Sequence, residues 1–108
     1  MPDSAKLVLT NCPNAEVAQA IARALVGEHL AACVNVLAPC RSFYEWQGKL
    51  CEDEEVPVLI KTSAARYAAL EARVRELHPY ELPELIAVDI TAGLPAYLGW
   101  VAGQTSPA

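Results

Sequence analysis

The sequence predicts an α+β fold, and two observations indicate it. The elements follow the order β-α-β-β-α-β plus one further helix, and the two middle strands form an unusually long pair around a tight turn. This is the split β-α-β, ferredoxin-like arrangement, an antiparallel sandwich with a long protruding β-hairpin and a C-terminal helix. With 108 residues, of which 54% are hydrophobic and 19% charged, the chain is expected to form a single domain over residues 1–108.

The first strand and helix are marked by a turn-forming cluster between them. Lys6–Thr10 is a β-rich run that stops at Asn11–Asn14. Asn14 is a good N-cap, and apolar residues follow it at helical spacing. The helix is expected to end at Gly27.

A long hairpin follows. Side chains alternate from Cys33 to Trp46, the pair Gln47-Gly48 forms the turn, and the return strand runs from Lys49 to Thr62. A strand of that length reaches ~45 Å at about 3.3 Å per residue, whereas a compact domain of this size is roughly 35 Å across. The hairpin is therefore expected to protrude. Pro57 within the return strand predicts an edge position or a bulge.

The two-residue turn also fixes the pairing of the hairpin. It sets Trp46 opposite Lys49 and Tyr44 opposite Cys51. Aromatic side chains near the tip are costly to leave in water and are enriched at interfaces. Association with another subunit is the expected consequence.

The remaining elements are a helix, a strand and a final helix. Ser63 is expected to cap the second helix, which His78-Pro79 ends. A last strand spans Leu85–Thr91, and proline opens a terminal helix over Pro95–Val101. The tail Gln104–Ala108 is expected to fray.

Composition and charge exclude several classes of protein. The net charge of −5 argues against a nucleic-acid partner, which needs a basic face. There is no export signal and no apolar run long enough to span a membrane, so a cytoplasmic location is expected.

Cysteines show no metal-binding or redox spacing. The four, Cys12, Cys33, Cys40 and Cys51, contain no C-x-x-C pair. Reduced thiols are the simplest interpretation for such a chain, with Cys33 serving as a small core residue, and the pairing state of Cys40 and Cys51 is left open.

The segment His78–Glu84, with the sequence HPYELPE, combines an imidazole, two carboxylates and a phenol. Such a corner suits metal binding or acid–base chemistry, and it equally suits a stiff connection. No nucleophile–base pair accompanies it, so an enzyme is not expected. His29 and His78 both lie near helix ends, where capping of the helix dipole is the simpler role.

Five segments in register resemble the CutA divalent-cation tolerance family. They are Ala31-Ala32-Cys33-Val34-Asn35, Ser42-x-Tyr44-x-Trp46-x-Gly48, Lys61-Thr62, His78-Pro79-Tyr80-Glu81-x-Pro83-Glu84 and Tyr97-Leu98-x-Trp100. The resemblance covers nearly the whole chain. It implies a homotrimer built by the long hairpins, a cytoplasmic location, and a link to copper(II) and other divalent cations.

The family's copper ligands carry over only in part. The resemblance places them at Thr10, Leu77 and His78, and of these only His78 is a metal-binding type. Cys12 and Glu84 are the residues nearest in sequence that could complete a site with His78.

The resemblance also implies clefts between subunits. Their expected lining is Tyr44, Trp46, Glu55, Lys61 and Glu84, together with His78. A lysine and carboxylates beside aromatic rings suit a small anionic ligand or a metal. The alternative is a PII-like small-molecule-binding regulator, or an interaction scaffold without specific metal binding.

Overall fold

The computed structural model describes residues 4–107 and has the predicted order of elements. The strands are β1 (Ala5–Cys12), β2 (Cys33–Val36), β3 (Cys40–Trp46), β4 (Lys49–Ser63) and β5 (Leu85–Asp89). The helices are α1 (Ala15–Gly27), α2 (Tyr67–Leu77), which follows a 3₁₀ turn at Ala64–Arg66, and α3 (Pro95–Gln104).

All strand pairs are antiparallel, and β4 is the longest strand. The sheet order is β2-β4-β1-β5, and β3 pairs with the N-terminal half of β4. The β3–β4 hairpin extends from this sheet and gives the subunit extents of 47 × 25 × 23 Å. The predicted ferredoxin-like fold with a protruding hairpin is confirmed.

The hairpin turn has the predicted register. Trp46 pairs with Lys49 and Tyr44 with Cys51. Gln47 and Gly48 both have positive φ, at 51° and 79°. These values define a type I′ turn, whose twist matches that of the flanking strands.

The prediction of one continuous strand from Cys33 to Trp46 is wrong, because the strand breaks at residues 37–39. Val36 pairs with Val58, whereas Cys40 pairs with Glu55, so three residues lie opposite two. Pro39 has no N–H to donate, and the break falls beside Pro57, whose carbonyl accepts the N–H of Leu37 at 2.9 Å. The bulge expected near Pro57 is therefore present, and its extra residue lies opposite β4, in the segment between β2 and β3.

Capping differs between the first two helices. The Asn14 side chain accepts the N–H of Val17 at 2.9 Å and caps α1 as predicted. The cap predicted at Ser63 is wrong: its side chain makes no capping bond, and its hydroxyl is hydrogen-bonded to the hydroxyl of Thr105, with the two oxygens 3.0 Å apart. Ser63 is the last residue of β4, and its side chain is buried against α3.

The end of α1 uses His29 in the left-handed conformation, at φ 59°. The N–H groups of His29 and Leu30 bond to the carbonyls of Val26 and Leu25 at 3.1 and 2.9 Å, which is a Schellman motif. Nδ1 of His29 donates to the carbonyl of Gln104 at 3.2 Å. The imidazole thus caps the end of α3, and not that of its own helix.

The two faces of the sheet differ in cover. Even-numbered residues in the C-terminal half of β4, such as Ile60, and in β1 from Val8 onward are buried beneath α1 and α2. On the other face Leu7 and Leu9 are half-buried, and their β5 partners Val88 and Ile86 are 50% and 53% exposed. This open apolar face is covered at one end only, by α3.

Two expectations at the C-terminus need correction. The last strand ends at Asp89 and not at Thr91. The tail, expected to fray from Gln104, is packed against the domain through Thr105. The side chain of Thr105 is buried, and its hydroxyl donates to the carbonyl of Val101 at 2.9 Å. Ala108 lies outside the described residues. No helix within residues 4–107 is long and apolar enough to cross a membrane.

Candidate functional site

A groove of about 1130 Å³ lies between the hairpin, the connection from α2 to β5, and the start of β5. The registers place Tyr44 and Trp46 of β3 on the same side as Asp53 and Glu55 of β4. The full lining is Asn11, Pro13, Ser42, Phe43, Tyr44, Trp46, Asp53, Glu54, Glu55, Tyr80, Glu81, Leu82, Pro83, Glu84, Leu85 and Ile86.

Two phenols fix two carboxylates in this groove. The Tyr44 hydroxyl donates to Oδ2 of Asp53, and the Tyr80 hydroxyl donates to Oε2 of Glu55 at 2.8 Å. Glu55 is only 7% exposed, so its charge is held away from bulk water. The groove therefore contains carboxylates with set orientations.

The phenols report the electrostatic character of the groove. The hydrogen bond to Asp53 raises the pKa of Tyr44 to about 12. Burial, together with the hydrogen bond to Glu55, raises the pKa of Tyr80 well above its usual range. Both phenols remain protonated donors at neutral pH, because negative charge nearby disfavours the phenolate.

The connection between α2 and β5 is anchored to the end of β1. The Thr10 hydroxyl donates to the carbonyl of Glu84 at 2.6 Å, and Nδ2 of Asn11 donates to Oε1 of Glu84 at 3.3 Å. Thr10 therefore acts here as an anchor for the wall of the groove.

His78 is buried and uses both ring nitrogens within the chain. Nδ1 accepts the N–H of Tyr80 at 3.2 Å, and Nε2 lies 2.7 Å from the carbonyl of Asn11. A carbonyl only accepts, so Nε2 carries the proton and the imidazole is the neutral tautomer. In this arrangement His78 offers no lone pair to a metal.

Cys12 is the fully buried thiol, whereas Cys33 is only half-buried. The expectation that Cys33 is the core cysteine is therefore wrong. Burial and the nearby charge of Glu55 raise the pKa of the Cys12 thiol to about 11. A protonated thiol is a poor metal ligand, because the thiolate is the binding form.

Among residues 4–107, no three His, Cys, Asp or Glu side chains converge closely enough to hold a metal ion. The sequence suggested that Cys12 and Glu84 could complete a metal site with His78. Within one chain these three side chains do not form such a site.

The structure brings together four of the five predicted cleft residues. Tyr44, Trp46, Glu55 and Glu84 line the groove, and Lys61 does not, since its ammonium binds Oδ1 of Asn35 on β2. Without the lysine, no Lys or Arg within residues 4–107 lines the groove. The expectation of an anionic ligand depended on Lys61. A groove lined by carboxylates and without that lysine does not suit an anion.

Sequence reasoning missed Asp53 and Tyr80 as lining residues. Asp53 could have been found from the hairpin register, because it lies diagonally across from Tyr44 on the same side. The contact of Tyr80 with Glu55 joins residues 25 positions apart, and no local pattern indicates it.

Comparison with known proteins gives one consistent family. The sequence model described as "CutA1 divalent ion tolerance protein" matches residues 6–104. "Protein CutA" from Mus musculus is 48% identical over 101 residues, which cover 94% of this chain and 57% of that protein. The chain thus spans little more than half the length of this mouse relative.

Solved structures agree in fold. A divalent cation tolerance protein (Cut A1) from Thermus thermophilus has a TM-score of 0.92 and 44% identity, covering 94% of this chain and 99% of that one. A CutA from Archaeoglobus fulgidus, named as periplasmic, has a TM-score of 0.91 and 31% identity, covering 94% and 99%.

Proposed function

The chain belongs to the CutA1 divalent ion tolerance protein family, and we propose that it acts as a homotrimer that binds copper or another divalent cation at clefts between subunits. The observation that carries this proposal is the groove, whose lining within residues 4–107 contains several carboxylates and no lysine or arginine. Carboxylate oxygens are ligands for divalent cations, and imidazole and thiolate add affinity for copper.

Assembly is supported by exposed apolar surface in two places. The open apolar face of the sheet presents Ile86 and Val88, and the hairpin presents Phe43 at 63% exposure. Contiguous apolar surface of this kind is typical of interfaces. The family resemblance supports three as the number of subunits.

The dispersal of metal-binding side chains supports a site between subunits. Because the described part of one chain brings no three of them together, a multidentate site requires ligands from a second copy. Glu81 and Glu84, both exposed on the groove wall, are positioned to meet such a neighbour. His78 would join only after leaving its bonds to Asn11 and Tyr80.

We also propose a cytoplasmic location and no catalytic role. Four free cysteines are typical of a compartment that keeps thiols reduced. Cell fractionation tests the location, and recovery of the native protein in a periplasmic or other exported fraction would contradict it.

Native mass spectrometry of the protein purified without chelators tests assembly and metal content together. The expected result is a trimer that retains copper or another divalent cation. A monomer contradicts the proposed assembly, and a metal-free trimer that takes up neither copper nor another divalent cation on titration contradicts the proposed cation binding. Copper titration of His78→Ala tests whether that imidazole joins the site, and affinity equal to wild type assigns binding to the carboxylates.

A further inference from the structure

His78 fastens the connection after α2 to the end of β1. Its backbone N–H still bonds to the carbonyl of Val74 at 2.8 Å, so the last turn of the helix fixes its position. Its side chain is buried, and Nε2–H donates to the carbonyl of Asn11 at 2.7 Å. The imidazole is therefore held between the helix and the strand.

The other ring nitrogen of His78 holds Tyr80. Pro79 has no N–H, so Tyr80 is the first residue after His78 whose N–H can return to the ring, and it donates to Nδ1 at 3.2 Å. The two rings are also in contact, with centroids 4.7 Å apart and planes inclined by 53°. The imidazole thus sets the place of the phenol.

The phenol in turn places Glu55. The Tyr80 hydroxyl donates to Oε2 of this carboxylate at 2.8 Å, and Glu55 is buried where it lines the groove. Outer hydrogen-bond partners of this kind orient the side chains that meet a ligand, and their loss weakens metal affinity. The geometry of Glu55 therefore depends on an imidazole that it does not contact through a printed bond of its own.

The bond to Asn11 by itself would also suit a metal-binding imidazole, since such a ring commonly donates its other N–H to a carbonyl. The difference lies at Nδ1 of His78, whose lone pair already accepts the N–H of Tyr80. A metal ion at Nδ1 would displace this N–H and release Tyr80 from the ring. Metal binding by His78 and its hold on Tyr80 thus exclude each other.

We infer that His78 is a positioning residue of the groove and not one of its ligands: the imidazole places Tyr80, and Tyr80 places Glu55. The inference rests on the proposed function, because it assigns the role of one residue within the same groove. A ligand and a positioning residue differ in the state of Nδ1, which can be measured.

Nitrogen-15 NMR of the imidazole rings in the full chain, at mildly alkaline pH and before and after saturation with Zn²⁺, distinguishes the two roles. His78 is expected to show a protonated Nε2 and an unprotonated Nδ1, both unchanged by Zn²⁺. His29 is the internal control with the opposite tautomer, because Nδ1 of this exposed side chain donates to the carbonyl of Gln104 at 3.2 Å. A proton on Nδ1 of His78, or a Zn²⁺-dependent shift of either His78 nitrogen to a metal-bound value, would overturn the inference.

Two conservative variants separate the roles in binding. The side-chain oxygen of asparagine reaches the place of Nδ1, so His78→Asn keeps an acceptor for the N–H of Tyr80. The amide nitrogen of glutamine reaches the place of Nε2, so His78→Gln keeps only the donor to Asn11. Calorimetric Zn²⁺ affinity should stay within about threefold of wild type in His78→Asn and fall roughly tenfold in both His78→Gln and Tyr80→Phe. Equal losses in the two His78 variants would mean that the imidazole itself binds the metal, and the positioning role would be wrong.

A double-mutant cycle in the free energy of unfolding tests the same link without any metal. Because His78 acts through Tyr80, the loss in the double variant His78→Gln with Tyr80→Phe is expected to be smaller than the sum of the two single losses. Additive losses would overturn the positioning role. A wild-type protein that takes up no divalent cation contradicts the proposed function alone, while the tautomers and this coupling still decide the inference.

Discussion

The hydroxyl of Tyr80 donates a 2.8 Å hydrogen bond to Oε2 of Glu55 and thereby ties the connection after α2 to the middle of β4. Glu55 is buried at this point, so the phenol supplies a partner that water supplies poorly. This bond closes the groove on one side.

Replacement of Tyr80 by Phe is expected to lower the free energy of unfolding by about 1–2 kcal/mol, because a buried carboxylate loses its donor. Tyr67→Phe is the matched control, since it removes a 3.0 Å bond from a phenol to the exposed Glu71. Its cost is expected to stay below about 0.5 kcal/mol. Urea unfolding at one fixed subunit concentration measures the free energy of unfolding of both variants. Equal decreases in the two variants would mean that the buried bond to Glu55 stabilises the fold no more than the exposed bond to Glu71 does.

The raised pKa of Cys12 makes stability depend on alkaline pH. Burial raises the pKa of this thiol from its ordinary value of 9.0 to about 11 in the folded chain. Above pH 9 the unfolded chain releases this proton while the folded chain retains it, so the Cys12 contribution is lost progressively up to about pH 11.

Unfolding free energies of wild type and Cys12→Ala at a series of pH values measure that contribution. The variant is expected to lose less stability between about pH 9 and 11 than wild type, whatever its stability at neutral pH. Cys33→Ala, at a half-buried position, serves as the control. Parallel pH curves for wild type and Cys12→Ala would contradict the prediction.

The open apolar face is expected to be the surface that another subunit covers. Ile86→Lys should therefore shift the assembly toward monomers in size-exclusion chromatography with light scattering, because a buried unpaired ammonium opposes association. Val26→Lys, on α1 and 43% exposed, is the control that should leave the assembly unchanged. An Ile86→Lys protein with the wild-type mass would assign the interface elsewhere.

Gly48 is expected to be sensitive for conformational reasons alone. A Cβ added there meets nothing within 4 Å, yet its φ is +79°. Gly48→Ala should cost about 1 kcal/mol or more, since residues with a Cβ adopt this region reluctantly. Gly99→Ala in α3, equally free of contacts, should instead be neutral or stabilising by up to about 1 kcal/mol. Thermal unfolding compares them, and a stabilised Gly48→Ala would contradict the type I′ turn.

The parts of the fold that the sequence predicted are those with local causes. Asn14 caps the helix it precedes, and Gln47-Gly48 sets the hairpin register through its own backbone. The break at residues 37–39 escaped prediction because Val36, Ala38 and Cys40 keep the alternation of a strand. The pairing with β4, and not the alternation, determines where the strand ends.

The sequence predicted part of the lining of the candidate site and none of the hydrogen bonds that hold it. Alternation along the hairpin placed Tyr44 and Trp46 together, and the family resemblance added Glu55 and Glu84. The occupation of both His78 nitrogens depends on the carbonyl of Asn11, 67 residues away, and on the N–H of Tyr80 in a tight loop. Lys61 faces Asn35 because of the pairing of β2 with β4, which no local pattern indicates.

The single extra residue between Val36 and Cys40 reverses which residue numbers lie on each face of the sheet. In β2, even-numbered residues pair with even-numbered residues of β4, and in β3 they pair with odd-numbered ones. A deletion of one residue there would leave two residues opposite Val56 and Pro57, so a continuous ladder could join the same two registers, Val36 with Val58 and Cys40 with Glu55. The bulge therefore interrupts the ladder without changing either register, and the pairing of β3 with β4 alone decides that Tyr44 and Trp46 face the groove.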